Sequence, residues 1–217
     1  MILHLDANQL RKDGLHLGAQ ASVAALLANE GLKADVSLAD SYHLDDLHAT
    51  LAELVTEKRT YDVVVAIGHS TSRGIRIAAD HSVGWDVFGE YIKRLEPRRL
   101  VLIACQAGQW PSARDLFPKL KKLRRLYACP VNATKNLAQF MLTLAPVLLE
   151  VKAPRAKDVT RTQIVAVALT GGQIREWTRA DMDRPEGLLL DLAAKALDPI
   201  AQAVPAALRK IFTRGRA

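Results

Sequence analysis

The chain is expected to fold as α/β, with a mostly parallel central sheet flanked by helices on both faces. Three observations predict this. Residues 63–67 and 100–104 are short, uniformly apolar runs rich in β-branched residues, as strands buried on both faces are. The segments leading to the first of them alternate strand and helix spacing in the order β-α-β-α-β. At 217 residues, 49% hydrophobic and 24% charged, the chain has the composition of a protein with one full core, and a single domain over 1–217 is the simplest division. Within it, residues 1–150 hold the core and 151–217 add a last strand and C-terminal helices.

Taken in order, residues 2–6 form the first strand. Residues 17–29 have helical spacing through Leu17, Val23, Leu26 and Leu27 and close at Gly31. A second strand covers 33–39. Ser41 through Asp46 offer capping chemistry for a helix whose Leu44, Leu47, Leu51, Leu54 and Val55 share one face. After the strand over 63–67, Gly74-Ile75-Arg76-Ile77 predicts a short strand or hairpin arm that leaves the main sheet. A helix over 85–95 leads to the strand at 100–104, followed by a basic helix over 112–125, a strand over 126–129 and a buried helix over 137–149. Residues 151–162 are polar, contain Pro154 and predict a long loop. A final strand at 163–169 turns at Gly171-Gly172 toward Trp177. From Pro185 the pattern is amphipathic helix, broken at Pro199 and Pro205.

Bulk properties exclude several classes. Two cysteines, Cys105 and Cys129, do not make a disulfide framework, so a reducing, cytoplasmic setting is expected. The opening residues have no basic leader or cleavage-site pattern, and the longest apolar stretch, 137–149, falls short of the roughly 20 residues that cross a bilayer. A net charge of +7 raises the question of nucleic acid, with Lys119, Lys121, Lys122, Arg124 and Arg125 as the densest cluster. No aromatic interleaving accompanies it, so the run reads as the solvated face of a helix and direct nucleic-acid binding is not expected.

Chemistry concentrates at two strand ends. His69 follows one buried strand between Gly68 and Ser70, and Cys105 follows the other ahead of Ala107 and Gly108. In parallel sheets reactive groups gather beyond the carboxyl ends of the strands. A thiol becomes a nucleophile when a neighbouring base takes its proton, and imidazole is matched to that task near neutral pH. Each residue alone would be read as a small buried hydrophobe or a loop histidine. Their joint placement on one edge reads as a catalytic pair.

The motifs Val64-Val65-Ala66-Ile67-Gly68-His69-Ser70 and Leu100-Val101-Leu102-Ile103-Ala104-Cys105-Gln106-Ala107-Gly108, with the order of elements around them, resemble the caspase-like cysteine peptidases. The Ala-Cys-x-x-Gly spacing is most similar to the bacterial CHAT-type and metacaspase-like members. The resemblance covers roughly residues 1–140. It implies a caspase-like central sheet and a cysteine endopeptidase with a Cys105–His69 dyad, without metal or organic cofactor. It also implies an oxyanion hole from the backbone N–H groups of Cys105 and Ser70, the latter standing where the family usually has glycine. By resemblance Ile103, two residues before the nucleophile, helps shape the pocket for the substrate side chain, and Asn132, Thr134 and Lys135 are further substrate-binding candidates. A protein substrate, a regulatory partner or assembly, and a role in bacterial antiviral defence or cell death follow as expectations. Restraint by a partner is expected because the first strand begins at Ile2.

Other assignments compete. Gly68-His69-Ser70-Thr71-Ser72 half matches the nucleophile elbow of α/β-hydrolases, but Ser72 stands at its second glycine and the last histidine is His81, too early for that chain order. His43 and His48 lack a partner at metal-ligand spacing, so no metal site is expected. A caspase-like adaptor without activity is the principal alternative. Cys129, followed by Pro130, is expected to be structural.

Overall fold

A computed structural model describes residues 1–13, 38–130, 132 and 175–183. Within these residues a six-stranded sheet runs in the order β2-β1-β3-β7-β8-β9. Its strands are β1 (Ile2–Leu5), β2 (Leu38–Ser41), β3 (Val63–Ile67), β7 (Arg99–Ile103), β8 (Arg125–Ala128) and β9 (Arg175–Thr178). All neighbouring pairs are parallel except β8–β9. A separate antiparallel sheet is formed by β4 (Ser70–Thr71), β5 (Gly74–Ala78) and β6 (His81–Gly84), the hairpin arm expected after the histidine.

The apolar runs become central strands because both of their faces are buried. Leu3, Leu5, Val64, Ala66, Leu100, Leu102, Leu126 and Ala128 join one continuous core with helices α2 (Leu44–Thr56), α3 (Trp85–Ile92) and α4 (Trp110–Lys119). The alternate residues Ile2, Val65, Ile67, Val101 and Ile103 are buried as well. Helix α2 presents Leu47, Leu51 and Leu54 to the core, and the Asp46 carboxylate closes its first turn by accepting from the N–H groups of Tyr42 and His43 at 3.1 and 2.7 Å. The Ser41 hydroxyl instead donates to the Ile77 carbonyl at 2.9 Å, tying β2 to β5.

Several boundaries differ from the sequence expectation. The basic helix starts at Trp110, where Pro111 suits the first turn, and stops at Lys119 rather than reaching Arg125. Pro118 contributes no N–H to the last turn and Leu120 leaves helical geometry, so Lys121 and Lys122 lie in a turn. The helix from Trp85 ends at Ile92 and tightens into a 3₁₀ turn, Lys93–Leu95. A short helix α1 (Ala7–Lys12) and a closing helix α5 (Arg179–Met182) complete the described elements. The expected helices at 17–29 and 137–149, the loop at 151–162, the strand at 163–169 and the helical segments after Pro185 lie outside the described residues. Among the described residues no helix is long and apolar enough to cross a membrane.

Candidate active site

β3 and β7 pair in register, Val63 with Arg99 through Ile67 with Ile103. The Gly68 N–H then donates to the Ile103 carbonyl at 3.3 Å, carrying the pairing one step past the strand. His69 stands two residues beyond Ile67 and Cys105 two beyond Ile103, so both leave the sheet at the same edge, on adjacent strands. Gly68 lets the chain pass close there: a Cβ would stand 3.1 Å from Cβ of Leu5, a tight contact that Leu5 would have to relieve by shifting.

The segment after the histidine is fastened to the cysteine loop. The Ser70 hydroxyl donates to the Cys105 carbonyl oxygen. Arg76 N–H donates to the His69 carbonyl at 2.8 Å, which makes Ser70 and Ile75 a non-hydrogen-bonded pair of the antiparallel ladder. The Ser70 N–H therefore points away from β5. Ser70 is not among the non-glycine residues with positive φ, so its strand conformation suits serine as well as glycine.

Cys105 is partly exposed and is followed by a tight loop. Gln106 adopts φ 58°, a left-handed conformation that a non-glycine residue adopts at some cost. Its side chain uses the position: Oε1 accepts from the Ser72 N–H at 3.2 Å and Nε2 donates to Asn132 Oδ1 at 3.0 Å. Gln106 thus joins the hairpin to the loop after β8. Behind it, Gly108 N–H donates to the Cys129 carbonyl at 2.7 Å, and the Gly108 carbonyl accepts from the Trp177 indole at 2.8 Å.

A cleft of about 380 Å³ opens beside His69, walled by Ser70, Thr71, Arg73, Gly74, Arg76, Ser82, Val83 and Gly84. The described lining does not include Cys105 or Ile103. Ile103 is 2% exposed. Asn132 is exposed and engaged with Gln106, while Thr134 and Lys135 lie outside the described residues. Cys129 is fully buried. In the basic cluster, Lys119, Lys122 and Arg125 pair with Glu90, Glu96 and Glu176. Among the described residues no three His, Cys, Asp or Glu side chains gather to hold a metal ion.

Two neighbours of the site escaped the sequence reading. Asp13, directly after α1, brings Oδ2 to 3.0 Å from Nε2 of His69. The signal for α1 was only the spacing of Ala7 and Leu10, its two buried residues, too brief to mark a helix. Gln106 carried no sequence signal, because its role depends on a backbone conformation. In comparisons with known proteins, no family model matches the chain and no curated protein matches it.

Proposed function

We propose that the chain is a caspase-like cysteine endopeptidase acting on a protein substrate, with Cys105 as nucleophile and His69 as the proton-transferring base and acid. The observation that supports this reading is the register of Ile67 with Ile103, because His69 and Cys105 each follow two residues later on adjacent strands. The order of parallel strands, with an antiparallel arm inserted after the histidine, supports a caspase-like arrangement of the sheet.

In the proposed reaction the Cys105 thiol gives its proton to His69 as sulfur attacks the scissile carbonyl carbon. The resulting oxyanion is held by the backbone N–H groups of Cys105 and Ser70, and the outward direction of the Ser70 N–H supports that role. Collapse expels the amine, which takes the proton from His69 and leaves a thioester. Water, deprotonated by His69, then hydrolyses the thioester and restores the thiol. The groups named suffice for this chemistry without a metal or organic cofactor.

Substrate contacts fall to the cleft beside His69, with Asn132, Thr134 and Lys135 as the further candidates and Ile103 behind the nucleophile. A reducing cytoplasm, restraint by a partner or assembly, and a part in bacterial defence or cell death complete the proposal.

The test is labelling by a thiol-directed activity probe, followed by cleavage of a peptide library. Cys105→Ala is expected to abolish both while preserving the circular dichroism spectrum and melting transition. Unchanged cleavage in that variant removes Cys105 from the mechanism, and an unreactive Cys105 in the folded wild type favours the non-enzymatic assembly module instead.

A further inference from the structure

Asp13 directly follows the last residue of α1, its backbone N–H donating to the Gln9 carbonyl at 2.9 Å. Its two carboxylate oxygens have separate occupations. Oδ1 accepts from Gln9 Nε2 at 3.1 Å, across an i, i+4 spacing that puts both side chains on one side of the helix. Oδ2 lies 3.0 Å from Nε2 of His69. That nitrogen is closed off from solvent, and the carboxylate meets it as a close ionic approach off the line of a ring N–H, as contacts of this kind often do before a substrate is bound.

A carboxylate at the C-terminal end of a helix has the wrong sign for the helix itself, where carbonyl groups already carry partial negative charge. Arg11 and Lys12 in the last turn are the residues the helix favours there. What Asp13 faces accounts for its position better than what it follows.

We propose that Asp13 is a positioning residue for His69, its carboxylate keeping a proton on Nε2 so that Nδ1 is the ring atom that exchanges protons with the reacting groups. A neutral imidazole carries one N–H, and a negative oxygen beside Nε2 selects the form with the hydrogen there. Nδ1 is then the acceptor. The thiol proton passes to Nδ1 as the carbon–sulfur bond forms, and leaves Nδ1 for the amine as the carbon–nitrogen bond breaks. The proton on Nε2 stays against Asp13 throughout. The partners of Nδ1 rest on the peptidase reading, whereas the choice of tautomer rests on the Asp13–His69 contact alone.

The experiment is long-range ¹H–¹⁵N correlation of the histidine rings in the full chain, at a pH where His69 is neutral, with its signals assigned by their loss in His69→Gln. The wild type is expected to carry the proton on Nε2. Asp13→Asn should move the population toward the Nδ1-protonated form, because the amide NH₂ can donate to Nε2. A wild-type ring protonated on Nδ1, or a ring indifferent to Asp13→Asn, overturns the proposal. In peptide cleavage Asp13→Asn is expected to lower kcat by roughly 10–100-fold with KM nearly unchanged, and Asp13→Glu to recover part of the loss. A raised KM at unchanged kcat also overturns it. The expected tautomer in a chain without thiol-dependent cleavage would sink the peptidase reading and leave this one standing, and cleavage with the opposite tautomer would do the reverse.

Discussion

The hydroxyl of Ser70 is hydrogen-bonded to the carbonyl oxygen of Cys105, so the residue after the histidine and the proposed nucleophile are joined directly across the edge of the sheet. Ser70→Ala removes this bond and keeps the backbone N–H. It is expected to cost about 1 kcal/mol of stability. If the same bond aligns the cysteine loop during reaction, kcat falls by roughly fivefold. Denaturant melts and steady-state kinetics on one preparation check both numbers. A loss as deep as that of Cys105→Ala would show that the hydroxyl, rather than the backbone donor, is the essential group.

Cys129 is fully buried at the end of β8, and its carbonyl receives the Gly108 N–H. Cys129→Ala should therefore keep the activity of the wild type and lose about 1–2 kcal/mol from diminished packing. With a limiting electrophile at neutral pH, mass spectrometry of the folded chain should find the label on the partly exposed Cys105. Preferential labelling of Cys129 would contradict the assignment of the two thiols.

Gly108 has no room for a side chain. A Cβ would stand 2.7 Å from both the Ala128 carbonyl oxygen and the Pro130 nitrogen, which are backbone atoms unable to swing aside. Gly108→Ala is expected to destabilise the chain by about 1–3 kcal/mol, and to disturb Cys105 through the loop they share. A melting temperature equal to that of the wild type would mean that the loop after Cys105 relaxes without cost.

Glu90 joins helices α3 and α4, meeting Lys93 on its own side and Lys119 at 3.0 Å across the interface. Hydrogen bonds from Lys93 and then Lys119 hold its carboxyl below the usual glutamate range. A carboxyl whose value is depressed on folding lends stability above the unfolded value, roughly pH 4.3, and loses it as the pH falls through the folded value. Stability measured between neutral and acid pH should therefore fall less steeply in Glu90→Gln than in the wild type over that acid window. Identical slopes would leave the bridge without a role in folding.

Much of the sheet was legible because its information is local. The runs at Val63–Ile67 and Arg99–Ile103 are apolar at every position but Arg99, and a strand covered on both faces makes use of every position of such a short, β-branched run. The hairpin arm was legible from the pattern Gly74-Ile75-Arg76-Ile77, and the structure gives the reason for its glycine, where a Cβ would fall 2.0 Å from the Val83 carbonyl oxygen. The end of α4 was harder to read, since leucines at 116, 120 and 123 continue the helical spacing although Pro118 and the backbone at Leu120 end the helix. His69 and Cys105 could be chosen because each closes a recognisable strand. Asp13 could not, since its contact with His69 spans 56 residues of sequence and begins from a helix of six residues.

Asp6 is 1% exposed at the end of β1, and its carboxylate forms a 2.8 Å ion pair with Arg76 Nε on β5. The Asp6 N–H also reaches the Ile77 carbonyl at 3.4 Å. A buried carboxylate that loses its cation is left with an uncompensated charge at a cost of roughly 3–5 kcal/mol. An outward swing of the arm that carries Arg76 would have to meet that cost, which favours the arm in its place against β1. The shape of the cleft beside His69 is then set before anything enters it. Under the proposed peptidase reading, recognition there works by preorganisation rather than by a closing flap, and an incoming chain meets a wall already in place, with no ordering step to diminish its affinity.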